Sequence, residues 1–327
     1  MTWLAIVLLA LVVRGLYLMQ AATFPLFDQL IVDAKAYYEW AREIAAGDWL
    51  GAGRGVFYQA PLYPYFLAVL MWLGLGDPSA IRLAQIVLGS IACGWLLLAG
   101  RRWFDRRAGL AAALLGALYA PAIFTDGLIQ KESLGLFLMA LVVWLFAFNR
   151  DAPSRAGWAA LGAALGLLAL LRETTLVLIP LLPIWLLVNF CERRRSERLA
   201  WALAVGVGAG AILLPVALRN LWVGGELVLT TAQSGPNFYI GNGPQATGTY
   251  VALVRGRSDT RFERDDATRI AAAALGRPLS SSEVSRYWWD RAFESIRRQP
   301  GRWLALMGRK LWMLLHAYEI PDAEDYA

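Results

Sequence analysis

The chain has 327 residues, of which 58% are hydrophobic and only 17% charged, with 31 basic against 25 acidic side chains. A soluble domain of this size would be nearer half apolar and a quarter charged, so the composition excludes an ordinary soluble protein. The surplus of +6 falls largely in arginine clusters between apolar runs, as membrane orientation demands, and calls for no nucleic acid.

The first run, Trp3 to about Ala22, lacks a basic leader, and Arg14 interrupts its core. It reads as a retained membrane span rather than a signal peptide. A guanidinium is costly in lipid, so Arg14 is expected to face the protein interior. Further spans are expected near 80–100, 108–124, 132–149, 156–171, 173–190 and 199–219, each long or apolar enough to cross or nearly cross the ~30 Å hydrocarbon core. The fold class is therefore an all-α multi-pass membrane protein. The spacings Gly162–Gly166 and Gly206–Gly210 suit close helix packing.

Three links are basic: RRWFDRR at 101–107, NRDAPSR at 149–155 and CERRRSER at 191–198. With all three in the cytoplasm, the positive-inside rule is satisfied. The N-terminus is then inside, and 23–79, 125–131, the turn at Arg172 and everything after Arg219 are outside. Residues 60–76 resemble another span but would invert every later loop. They carry two prolines near their start and read as a re-entrant or interfacial helix.

The long first outer loop contains DAKAYYEWAREIAAGDW. Ala34, Tyr37, Tyr38, Ala41, Ile44 and Ala45 recur at helical spacing, which predicts an amphipathic helix along the membrane surface. Asp33 stands at its start, either as a cap or as a reactive carboxylate. Trp49 and the cluster from Tyr58 to Tyr65 suit an interfacial aromatic belt.

The outer region 220–300 is a small mixed segment. GELVLTTAQ predicts a strand, 237–250 a glycine-rich loop and DTRFERDDATRIAAAALG a helix; a capping box from Ser280 to Glu283 opens another. Residues 301–327 predict an interfacial helix. The expected organisation is 1–220 as the membrane module with loop 23–79, 221–300 as the outer-face region and 301–327 as the last helix. Cys93 and Cys191 make no disulfide framework, and the lone His316 gives no basis for a zinc site.

Charged groups expected near the outer interface are Asp28, Asp33, Asp48, Asp126 and Glu132, with Lys35, Arg54, Lys131, Arg172 and Arg219. A carboxylate among cations at a lipid surface fits a substrate with an anionic head and an apolar tail. Transfer of a sugar from a lipid phosphate needs a base for the acceptor's proton and cations for the leaving phosphate. Arg172 reads equally as a phosphate clamp or a snorkelling side chain. Asp126, Lys131 and Glu132 read as helper residues or a solvated turn, and Arg219 as a membrane anchor ahead of a binding residue.

The pattern from Asp33 to Trp49, followed by FYQAPLYPYF, together with DGLIQKE, LLRETTL, NFYIGNGPQATGTY and EIPD, resembles membrane glycosyltransferases of the GT-C fold. The similarity is to family 39, the protein O-mannosyltransferases and lipid A aminoarabinose transferases. It implies a GT-C transmembrane bundle, with Asp33 as the catalytic base for an inverting attack on a polyprenyl-phosphate sugar. Arg172, Lys131, Arg54, Asp126, Glu132 and Tyr58 are the candidates for holding donor phosphate and substrate. Ala34 and Gln59-Ala60-Pro61 depart from the family pattern, in which a second acid or a lysine-proline-proline is common. The family continues with further spans, so the resemblance implies a shortened or minimal version.

The expected partners are that donor, membrane lipids, and a lipid, glycan or protein acceptor. No cofactor is implied, and a divalent metal stays compatible. The expected location is the cell (inner) membrane, with the active site on the periplasmic or extracellular face. A flippase or transporter for the same lipid, or a surface-polysaccharide ligase, are the alternatives; internal repeats and broken mid-membrane helices would favour a transporter, and the sequence signals neither.

Overall fold

The computed structural model describes residues 1–25, 27–257 and 260–316, the side chains of 260 and 261 excepted. Among them the regular structure is entirely helical, and no strand forms. The chain divides into two compact units: one of Met1–Leu30, Tyr37–Gly51 and Ala60–Leu218, the other of Ile31–Ala36, Ala52–Gln59 and Arg219–Ala327.

The first unit begins with α1 (Thr2–Ala21) and continues with α2 (Val32–Ala45), which starts in the other unit, and α3 (Leu62–Trp72). It continues with α4 (Pro78–Trp103), α5 (Arg106–Leu118), α6 (Ala120–Asp126), α7 (Glu132–Asp151), α8 (Arg155–Ala169), α9 (Leu178–Asn189) and α10 (Arg195–Gly224). By length and composition α1, α4, α7 and α10 are long and apolar enough to cross a membrane. Leu4, Leu8, Val12, Leu16 and Met19 of α1 point away from the protein, as lipid-facing side chains do, whereas Ile6 and Ala10 pack with Cys93, Leu97, Ala113 and Ala117. The protein is an all-α, multi-pass membrane protein.

The expected span at 108–124 is two helices. The chain turns by 54° between α5 and α6, because Tyr119 is extended and Pro121 starts the next helix, where its ring favours a first turn. Helix α3 has 11 residues, about 16 Å at 1.5 Å per residue, roughly half a hydrocarbon core. Tyr63 on it is fully buried, donating to Gln85 Oε1 at 2.5 Å, so this ring belongs to the core and not to an aromatic belt. The same applies to α2: Ala34, Tyr37, Trp40, Ala41 and Ile44 are buried in the protein, and Lys35, Glu39, Arg42 and Glu43 are exposed. The helical period is as read, but its apolar face is taken up by the protein itself.

The three basic links share one end of this unit. Arg102 approaches Asp151 at 3.8 Å, Arg150 stacks over Trp103 at 4.5 Å, and Asp151, Arg155, Arg193 and Glu197 line one depression. Helices α8 and α10 cross where Gly162 and Gly208 sit: a Cβ on Gly162 would lie 2.1 Å from Val205 O, and one on Gly208 2.0 Å from Ala159 O. Gly206 and Gly210, whose spacing suited helix packing, have nothing within 4 Å; the close glycine lies between them.

The second unit adds α11 (Ser234–Asn242), α12 (Thr260–Leu275), α13 (Ser281–Arg298) and α14 (Pro300–Leu315). The first half of the expected glycine loop 237–250 is thus helical. Phe238 stacks on Trp289 at 3.9 Å, and Gly235 lies so close to Ser285 O that a Cβ would be 1.9 Å away. The capping box from Ser280 to Glu283 forms as expected. Glu226 supports it, accepting from Ser281 N and Ser282 N at 2.8 Å each.

Candidate active site

Asp33 lies in the first turn of α2. Val32 before it has φ +44°, a left-handed backbone that a β-branched residue adopts only when its surroundings impose it. That turn brings the chain into the helix and leaves the carboxylate half-buried, at the positive end of the helix dipole.

The loop 52–59 of the same unit is held by a polar brace at the end of α10. The Arg219 guanidinium lies 3.6 Å over the Phe57 ring, and donates to Gly55 O and to Asn220 Oδ1. Asn220 Oδ1 also accepts from Phe57 N at 3.1 Å, and its Nδ2 donates to Val228 O at 2.9 Å and Thr230 O at 3.0 Å. Ala232 N donates to Phe57 O at 2.9 Å. Arg219 is 7% exposed, a structural brace rather than the expected membrane anchor. The expected strand in GELVLTTAQ is absent for the same reason: its backbone groups bond to Asn220 and to the loop, not to another strand.

Beside this brace, Tyr58 Oη donates to Glu263 Oε1 at 3.0 Å and Tyr250 Oη to Glu263 Oε2 at 3.4 Å. Burial, with the Glu263 charge adding to it, pushes the Tyr58 hydroxyl well above its ordinary pKa of 10.0. Tyr250 is raised by burial, then by Glu263, and the Asp33 charge contributes, which places Asp33 within electrostatic reach. Both tyrosines stay protonated as donors. Tyr58, Tyr250 and Glu263 thus form one hydrogen-bonded cluster, and the Asp33 charge reaches Tyr250. Glu263 was missed in the sequence, where DTRFERDDATRIAAAALG is read only as a helix. Arg54 ends the short turn Ala52–Arg54, and its carbonyl accepts from Arg264 Nη1 at 2.8 Å.

The other candidates belong to the first unit. Arg172 donates to Glu132 Oε1 at 2.5 Å, an ion pair left partly open, with side chains 46% and 30% exposed. Lys131 precedes α7, half-buried. Asp126 is fully buried and accepts from Arg14 Nε at 2.7 Å, so no solvated turn exists there, and Arg14 faces the interior as expected. Asp28, considered as a rival to Asp33, is 3.9 Å from Arg82 with its side chain exposed. The motif EIPD at 319–322 lies outside the described residues.

These features define the class as a multi-pass membrane protein with a second helical unit carrying a carboxylate–tyrosine cluster. Over residues 58–218 the chain matches the dolichyl-phosphate-mannose-protein mannosyltransferase family. It is also similar to undecaprenyl phosphate-alpha-4-amino-4-deoxy-L-arabinose arabinosyl transferase 1 of Pseudomonas fluorescens (strain Pf0-1), with 28% identity over 199 residues, 58% of this chain and 34% of that protein. The chain therefore spans about a third of the length of that curated relative. The similarity is to GT-C-like membrane glycosyltransferases. Asp33 lies outside the residues matched by the family.

Proposed function

We propose that the protein is a membrane glycosyltransferase, akin to family 39, that transfers a sugar from a polyprenyl-phosphate donor to a lipid, glycan or protein acceptor. Asp33 takes the proton from the acceptor hydroxyl or amine as that group attacks the anomeric carbon. The bond from that carbon to the phosphate oxygen breaks on the opposite side, inverting the centre, and polyprenyl phosphate leaves with its charge held by cations. Arg54 is the candidate for that role in the second unit; Arg172 and Lys131, with Glu132 orienting Arg172, are the candidates in the first. Tyr58, whose hydrogen goes to Glu263, offers a substrate only its accepting oxygen, and Asp126 acts only through Arg14.

The observation that supports the reading is the setting of Asp33: a half-buried carboxylate, behind a left-handed Val32, whose charge reaches Tyr250. By the positive-inside rule the three basic links are assigned to the cytoplasm, and the loop that carries Asp33, one span away in chain order, to the periplasmic or extracellular face of the inner membrane.

The test is reconstitution of the full chain in liposomes with a panel of polyprenyl-phosphate sugars. Asp33→Asn is expected to lower turnover by about 10²-fold or more, and Asp28→Asn to leave it near wild type. Equal turnover by wild type and Asp33→Asn would remove Asp33 from the mechanism, and lipid translocation without sugar transfer would replace the reading by a flippase. Topology is read by labelling single cysteines from outside: Arg54→Cys reacts and Phe104→Cys does not.

A further inference from the structure

The three basic links together hold ten arginines and four carboxylates, so the whole of the chain's +6 surplus stands at the end of the first unit that they share. Helix electrostatics does not call for charge of this sign there. Arg106 and Arg107 open α5 and Arg155 opens α8, with no acidic residue in the first turn of either, and a cation at a helix N-terminus stands against the dipole. Three of the four carboxylates are already engaged: Asp151 by Arg102 at 3.8 Å and Arg150 at 3.4 Å, Asp105 by Ala108 N at 2.8 Å, and Glu197 by Arg194 N at 3.3 Å. Among the described residues, Arg155 and Arg193 form no ion pair. Both are exposed and line, with Ser154, Glu197 and Trp201, a depression of about 570 Å³. Ser154 Oγ accepts from Gly157 N at 3.0 Å, which leaves its hydrogen to donate.

The surroundings say which anion supplies the missing charge. Helices α4, α7 and α10, which these links follow or precede, are long and apolar enough to cross a membrane. Phe104, Val188, Leu199 and Leu203, in or beside the links, are exposed, as lipid-facing side chains are. A soluble anion accounts for the arginines but not for apolar residues bared next to them; a lipid with a phosphate head accounts for both. Basic depressions between membrane helices hold such headgroups, and a guanidinium fork fits two phosphate oxygens at once. We propose that this end of the protein binds acidic phospholipid, with one phosphate held in the depression by Arg155 and Arg193. No residue of the transferase reading enters the inference, so the two stand or fall separately.

The experiment titrates the full chain in detergent micelles with phosphatidylglycerol, with zwitterionic phosphatidylcholine and with inorganic phosphate, following heat. Phosphatidylglycerol binds at least about tenfold tighter than phosphatidylcholine, and raised salt narrows the gap. Arg155→Gln and Arg193→Gln each weaken phosphatidylglycerol by about fivefold, the scale of one arginine near an acidic surface, and leave phosphatidylcholine as it was. Arg297→Gln, an exposed charge of the second unit, changes neither. Glu197→Gln, which removes a negative charge from the wall, tightens phosphatidylglycerol several-fold; loss of fold cannot produce tightening. The proposal is overturned if the two lipids bind equally, whether or not inorganic phosphate binds. It is equally overturned if Arg155→Gln and Arg193→Gln bind phosphatidylglycerol as wild type does, if Arg297→Gln weakens it as much as they do, or if Glu197→Gln weakens it.

Discussion

Replacing Asp126 by alanine strands Arg14 inside the protein. Arg14 is the thirteenth residue of α1 (Thr2–Ala21), so about 18 Å of helix lies before it at 1.5 Å per residue, which puts the guanidinium deep in the hydrocarbon. It is 2% exposed and its carboxylate partner is fully buried, 2.7 Å away. Two further bonds go to the carbonyls of Ala117 at 3.2 Å and Gly116 at 3.3 Å, and these survive the substitution. Removing one member of a buried pair costs about 3–5 kcal/mol, because the other charge is left uncompensated; an arginine at a helix centre in lipid is itself unfavourable by about 2.5–3.5 kcal/mol. The two estimates converge on a loss of about 3 kcal/mol or more for Asp126→Ala. The pair replaced together, Arg14→Met with Asp126→Leu, is expected to unfold within about 1 kcal/mol of wild type, since apolar substitutes of similar volume are often neutral. Unfolding free energies in mixed micelles, combined as a double-mutant cycle, measure both. A loss below about 1 kcal/mol for Asp126→Ala, or a double variant as unstable as the single one, would refute the argument.

The α8–α10 crossing predicts that Gly162→Leu and Gly208→Leu each destabilise by about 1–3 kcal/mol or more through overpacking, with Gly206→Ala near neutral; thermal unfolding in detergent separates the three. Asn220→Ala deletes the acceptor of Phe57 N and the donor to two carbonyls, and is expected to cost about 2–4 kcal/mol, with hydrogen exchange at the Phe57 amide accelerating. Glu283 is held at about 2, below its ordinary 4.5, by Arg277 first and by the Ser280 N–H. A depressed carboxylate contributes stability that is present above pH 4.5 and lost as pH falls toward about 2. The stability difference between wild type and Glu283→Gln is therefore expected to shrink across that window, and a difference constant with pH would contradict it.

Much of the membrane unit was legible because apolar runs and basic links are local in sequence: α1, α4, α7 and α10 fall where the runs predict. The bend before α6 was also signalled locally, by Pro121, but a run of apolar residues hides a break that leaves composition unchanged. The strand expected in GELVLTTAQ failed because β-branched residues report a preference for extended backbone, and extended backbone can bond to a side chain as well as to a strand. Asn220 took those bonds. Within the candidate site, Asp33 and Tyr58 were visible through the loop pattern, whereas Glu263 lies about 200 residues further on, in a stretch that reads only as a helix, and only the fold brings its carboxylate to Tyr58.

What the amino-acid order determined by itself is where helices form, how apolar they are and which links carry positive charge, because these follow from neighbours within a few residues and from the solvent each segment prefers. What the tertiary structure decided is which polar groups meet. Arg14 pairs with Asp126, Arg219 braces Phe57, and Glu263 joins the two tyrosines near Asp33. Buried polar groups must find partners wherever the packed chain supplies them, and most of these partners stand far apart in the sequence.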